Sequence, residues 1–183
     1  GFARLDMVEE SGETPLYSRN ILSYTSLSPR KDPWKMVTFT LDMGGSYEIF
    51  MLTGEGCSRL VADDLSWEES NDFRYTLANP SLGNMKVEAM SMYPISGTLM
   101  VADGNAYWRQ QQGSALFGLP VNLVNGQQVK LAPYIGSDIS GNTAFGGTNF
   151  VLFDEANRLF LRYAKNSSNC SVLPDFPQGY RLK

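Results

Sequence analysis

The sequence predicts an all-β protein. Its expected form is β-propeller-like, a partial propeller of three to four blades of antiparallel strands, with a β-sandwich or barrel as the alternative. Three observations predict it. Short runs rich in β-branched and aromatic residues recur along the chain. Gly, Asn and Asp turn signals separate those runs. One hairpin pattern returns at a near-constant interval, as repeats of this kind do.

Taken in order, Leu16 to Tyr24 is compatible with a short helix or an extended arm. Met36 to Leu41 is the first clear strand and ends at Gly44-Gly45. Tyr47 to Thr53 is the second, closed by Gly54-Glu55-Gly56, after which Cys57 to Ala62 returns. Ser66-Trp67-Glu68-Glu69 matches a capping box, with Ser at the N-cap and Glu three residues on. Only one or two turns fit before Phe73-Arg74-Tyr75, which reads as extended. Lys86 to Pro94 alternates, with Val87, Ala89, Ser91 and Tyr93 on one face and Glu88, Met90 and Met92 on the other. Thr98 to Ala102 and Ala106 to Gln110 flank Asp103-Gly104-Asn105. Val121 to Val124 and Gln128 to Leu131 flank Asn125-Gly126, the strongest short hairpin signal, because both residues accept positive φ. Gly136 to Gly147 reads as a long loop, and Asn149 to Phe153 and Arg158 to Tyr163 close the series.

Three of these hairpins align. Ile49 to Leu52 with Ser58 to Leu60, Leu99 to Ala102 with Ala106 to Arg109, and Val151 to Asp154 with Arg158 to Arg162 each join an apolar strand, a polar turn and a second strand carrying Arg. They begin at 49, 99 and 151, a period of 50 to 52 residues. Periods of roughly 40 to 50 residues built from short strands mark propeller blades, whose faces are buried only against neighbouring blades. The 183 residues hold three to four such units, which is short for a closed ring. The expected organisation is an N-terminal arm or incomplete blade over 1–35, blades over 36–165, and a tail over 166–183.

Composition narrows the chemistry. Histidine is absent, which removes His general bases, Ser-His-Asp and Cys-His systems, and every His metal site. A net charge of −4 without a dense basic stretch argues against nucleic acid. No apolar run approaches the roughly 20 residues of a membrane-spanning helix. Cys57 and Cys170 lie 113 residues apart with no CxxC, and are expected as semi-buried free thiols, a disulfide being the alternative. Position 1 is Gly, which reads as a cut end compatible with a removed secretion or lipoprotein signal.

Candidate sites follow from what remains. Asp63, Asp64 and Glu69 flank Trp67, and paired carboxylates beside an aromatic are what a glycosidase needs. Their ordinary explanation is a solvated loop and a helix start. Trp67, Trp108, Tyr107 and Tyr134, with Trp34 and Tyr93, are candidate platforms for a sugar or a protein partner, and Arg109 and Gln110 to Gln112 add hydrogen-bonding groups. Tyr107 and Trp108 are strand neighbours and point to opposite faces, so one of them is expected in the core. Asp154, Glu155 and Asn157, or Asp103 and Asn105, lack calcium-loop spacing and read as turn residues. No metal and no cofactor is expected.

Tyr47 to Leu52, Gly104 to Arg109 and Phe153 to Tyr163 resemble the C-terminal half of PKD-like family lipoproteins of Gram-negative gut bacteria. The resemblance spans roughly residues 40 to 165 and implies a propeller-like region. In that family it follows a lipid-anchored part with PKD-like modules, beside outer-membrane nutrient uptake. It carries over no catalytic residue. The expected function is an exported, outer-membrane-associated or periplasmic binding module, non-catalytic, in polysaccharide capture. Its expected partners are a polysaccharide or an outer-membrane protein, with self-association closing a propeller. The alternatives are a carbohydrate-active enzyme, glycosidase or lyase, using Asp63, Asp64 or Glu69, and an assembly part with no small ligand.

Overall fold

The computed structural model describes residues 4–8, 15–20, 33–40, 47–53, 56–61, 66–93, 97–110, 116–138 and 149–174. The fold is all-β: small open antiparallel sheets joined by turns, with three short 3₁₀ turns among the described residues. Among the described residues no helix is long and apolar enough to cross a membrane. The chain divides into two compact units, Gly1–Val87 and Glu88–Lys183.

In the first unit, β1 (Arg4–Val8) pairs with β2 (Pro15–Asn20). The strand at Pro15–Asn20 settles the described part of the Leu16 to Tyr24 segment as extended. β3 (Pro33–Thr40), β4 (Tyr47–Thr53) and β5 (Gly56–Leu60) form a meander. Both faces of β4 and β5 carry buried side chains: Ile49 and Met51 on one, Phe50, Leu52 and Cys57 on the other. The ring of Phe50 meets Phe73 edge-on, with centroids 6.2 Å apart.

Two expectations fail in the segment after β5. The capping box does not form: Glu68, not Ser66, precedes the 3₁₀ turn at Glu69–Asn71, and no side chain caps it. Phe73–Thr76 is a second 3₁₀ turn rather than extended chain. Asp72 explains the second result. Its buried carboxylate accepts from the Arg74 backbone N–H at 2.9 Å and from the Trp67 indole N–H at 3.1 Å. A carboxylate so placed satisfies an orphan donor at the start of a turn, the service the Ser was expected to give.

In the second unit, β6 (Val87–Tyr93, whose first residue falls on the boundary), β7 (Gly97–Ala102) and β8 (Asn105–Gln110) form one sheet. The chain then returns along β8: Pro120 bridges Tyr107, and the Val121 N–H donates to the Ala106 carbonyl at 2.8 Å. β9 (Leu123–Val124) and β10 (Gln127–Gln128) form the short hairpin around Asn125-Gly126. Both central residues have positive φ, 51° and 80°, as the turn signal requires. The Asp103-Gly104 turn does the same, at 48° and 75°. β11 (Gly136–Asp138), β12 (Asn149–Asp154), β13 (Leu159–Ala164) and β14 (Cys170–Val172) form a four-stranded meander. β11 occupies the start of the expected long loop, whose remainder lies outside the described residues. β14 falls within the C-terminal segment 166–183.

The three aligned segments all fold as hairpins: β4–β5, β7–β8 and β12–β13. A further strand lies beside the first strand of each: β3, β6 and β11. In the second unit the sheets pack face to face. Leu99, Val101, Ala106 and Trp108 join Phe150, Leu152, Leu161 and Tyr163 in one core cluster. Trp108 is the wedge, its ring 5.9 Å from Phe150 and 5.8 Å from Tyr163. Aromatic rings at such separations add to what burial alone contributes. Cys57 and Cys170 are buried thiols and form no disulfide.

Candidate functional site

Asp63 and Asp64 lie outside the described residues, as do the side chains of Trp34, Tyr93 and Gln111-Gln112. Glu69 opens the first 3₁₀ turn, where its exposed carboxylate pairs with Arg74 at 3.0 Å. Trp67 is half-buried and tied to Asp72 by its indole N–H. It is therefore an anchor of the turn rather than an open platform.

Tyr107, Trp108 and Arg109 are all in the interior, only 7%, 9% and 8% exposed. Opposite faces do not separate core from surface here, because every residue of β7 is buried and both faces of the hairpin are covered. Arg109 lies over the Phe117 ring at 5.0 Å, a geometry that holds a cation against an aromatic face. Burial, the largest cause, raises the Tyr107 hydroxyl above the ordinary tyrosine range. A hydrogen bond with Asn105 opposes the rise and the nearby Asp103 carboxylate adds to it. Of the aromatic platforms expected from the sequence and described, Tyr134 alone is open, at 73%.

Strands β8, β9 and β10 converge on a cluster of neutral amides that no motif announced. Asn122, fully buried, is its hub. Its Oδ1 accepts from the Ala106 backbone N–H at 3.1 Å. Its Nδ2 donates to Asn105 Oδ1 at 3.2 Å and to the Val129 carbonyl at 2.5 Å. Gln128 Nε2 also donates to Asn105 Oδ1. These bonds tie the Asp103-Gly104 turn to the Asn125-Gly126 hairpin, and the Leu131 N–H adds a bond to the Gly104 carbonyl at 2.8 Å. Gly104 is required there: a Cβ would stand 3.0 Å from Lys130 Cγ, and φ is +75°.

The solvent side of the cluster carries the exposed residues Asn125, Gln127 and Gln128. Lys130 pairs with Glu155 at 3.1 Å, an exposed ion pair of the kind that adds little to stability. Tyr134 follows Lys130 by four residues, within about 14 Å of it by chain reach. The solvent side of the cluster thus offers uncharged donors and acceptors, and the exposed Tyr134 ring follows it in the chain. The Asn-Gly pair was the one sequence signal near this place. Nothing in the sequence marked Asn122, because its partners come from two other places in the chain, Asn105-Ala106 and Val129.

Asp154 is a turn residue, as expected. Its buried carboxylate accepts from the Ala156 and Asn157 backbone N–H groups at 3.0 and 3.1 Å and from Asn157 Nδ2 at 2.7 Å. Among the described residues no group of three or more Cys, Asp or Glu is placed to hold a metal ion. Compared with models of protein families, with curated proteins and with solved structures, the chain matches none.

Proposed function

We propose that this chain is a propeller-like, non-catalytic binding module that captures a polysaccharide. Its place is outside the inner membrane of a Gram-negative bacterium, exported and associated with the outer membrane beside an uptake system. The observation that carries the binding reading is the amide cluster held by the buried Asn122, with Asn105 and Gln128 bonded to each other, Gln127 and Gln128 exposed, and the open ring of Tyr134 six residues after Gln128 in the chain. Sugars offer many hydroxyls, which amides match as both donors and acceptors, and C–H faces, which an aromatic ring covers. A rim stiffened by internal hydrogen bonds loses less entropy on binding than a mobile one. The propeller-like reading is supported by three like hairpins at a 50 to 52 residue spacing and by sheets buried on both faces. The location rests on the sequence resemblance.

Affinity electrophoresis in gels containing a panel of polysaccharides tests the reading. Retardation of the wild type by at least one polymer, reduced in Tyr134→Ala and in Gln127→Ala, is the expected result. A wild type that no polymer retards sinks the polysaccharide reading.

A further inference from the structure

The turn between β9 and β10 carries a chemistry of its own. Asn125-Gly126 is the only Asn-Gly pair in the 183 residues. An asparagine amide is open to attack by the backbone nitrogen of the residue that follows it, and a glycine there leaves the approach unobstructed. Both residues are exposed at the tip of the hairpin. Among the described residues no atom beyond the chain neighbours of Gly126 lies within 4 Å of where a Cβ would stand. The ladder below the tip is two pairs long, Val124–Gln127 and Leu123–Gln128. Its base is held separately: the Val129 N–H donates to the Asn122 carbonyl at 3.1 Å, and the Asn122 side chain donates to the Val129 carbonyl. The tip can therefore open while the base stays closed, since exposed backbone hydrogen bonds open locally. Other asparagines lack this setting. Asn122 is buried and precedes Leu123, and Asn157 donates its amide to Asp154 Oδ2 at 2.7 Å and precedes Arg158. Asn79 precedes Pro80, which has no N–H to attack with.

We propose that Asn125 is a self-modification site, at which the chain deamidates through a succinimide. The Gly126 nitrogen gives up its proton to solvent base and bonds to Asn125 Cγ. The Cγ–Nδ2 bond breaks, and Nδ2 leaves as ammonia. Water then opens the ring. Cleavage at Cγ restores the chain with an aspartate, and cleavage at the former backbone carbonyl leaves an isoaspartate, whose chain runs through Cβ and Cγ. The sum is asparagine plus water to aspartate or isoaspartate plus ammonia, with no oxidant or reductant. Either product sets a carboxylate in the turn that carries the exposed neutral amides of Gln127 and Gln128. Isoaspartate also adds a methylene to a turn whose length and two positive φ angles, 51° and 80°, fix the register of its strands. The hairpin on the Asn122 hub thus changes charge and shape with age. The proposal is independent of the polysaccharide reading.

Peptide mapping by mass spectrometry of the whole folded chain, held at mildly alkaline pH, tests it. The peptide spanning Asn125-Gly126 is expected to gain about one mass unit, as the amide becomes a carboxyl group. It is expected to do so at least about tenfold faster than the peptides holding Asn84 or Asn157, which lack a following glycine. Its rate is expected to lie within about tenfold of that in the urea-unfolded chain, since the tip opens locally. Both aspartate and isoaspartate are expected, the second marked by labelling with an isoaspartyl methyltransferase. Asn125→Gln is expected to abolish the change, because the longer side chain must close a larger ring. A folded chain that reacts more slowly than this at position 125 overturns the proposal. So do equal rates at Asn84 or Asn157, and so does a product that is aspartate alone.

Discussion

The indole N–H of Trp108 donates to Asn166 Oδ1 at 2.9 Å, joining residues 58 apart in sequence. The same oxygen accepts from Gln110 Nε2 at 3.0 Å. Trp108 thereby buries its ring between Phe150 and Tyr163 while its one polar atom is satisfied at the surface. Asn166 holds a φ of +64°, a conformation that Asn tolerates better than most residues. Asn166→Ala removes the acceptor and strains the backbone. A loss of about 1–3 kcal/mol is expected in urea unfolding, because a nearly buried N–H is left without a partner. Asn166→Asp keeps the acceptor and is expected to lose less.

Gly97 is the contact that lets Trp108 fit. Its φ is +146°, and a Cβ there would lie 2.6 Å from Trp108 Cζ2 and 2.8 Å from Cη2, besides colliding with the Arg109 carbonyl oxygen. Gly97→Ala is expected to cost about 3 kcal/mol or more, or to prevent folding, since strain and overpacking act together. A melt shift no larger than that of a surface substitution would refute this account.

Asn122→Ala strands the Ala106 N–H and the Val129 carbonyl in the interior. About 2–4 kcal/mol of stability is expected to go, because each unsatisfied buried group carries its own desolvation penalty. Tyr134→Ala, by contrast, is expected to change stability by no more than about 0.5 kcal/mol, as surface substitutions usually do. Thermal melts of the two variants side by side check the contrast. Tyr134→Ala is also the variant that separates binding from folding in the gel assay.

Alkaline pH is expected to loosen the second unit. Burial pushes the Cys170 thiol up from 9.0 to about 12. Burial, with a smaller push from Cys170, also raises the Tyr163 hydroxyl above its ordinary 10.0. Folding therefore favours the protonated forms. Their contribution is complete below the unfolded values and falls as pH rises, beginning near 9 for Cys170 and near 10 for Tyr163. Melting temperatures recorded from pH 8 upward are expected to fall less steeply between 9 and 10 in Cys170→Ala than in the wild type.

Much of the second unit was legible in the sequence. The hairpins at Asp103-Gly104 and Asn125-Gly126 are written in residues that accept positive φ, and β6 spans the strand expected there, from Val87 to Tyr93. The segment from Ser66 to Tyr75 misled because Ser66 and Glu69 match a capping pattern, yet the side-chain cap that forms is that of Asp72 on the following turn. The site was less legible than the fold. Trp67, Tyr107 and Trp108 were candidate platforms by residue type, while Asn122 carried no mark at all.

Sequence alone determined the all-β class, the three hairpins and the turns that close them, because these depend on β-branched runs and on local φ preferences. Tertiary structure alone decided which faces are covered. Period-two alternation assigns Trp108 and Tyr107 to opposite sides of β8, but it does not say that both sides are packed. The same holds for Val151 and Phe153, whose apolar character invites burial that the described sheet only half supplies. Covering a face takes partners from distant segments, and their arrival is set by packing among sheets rather than by any local preference of the strand.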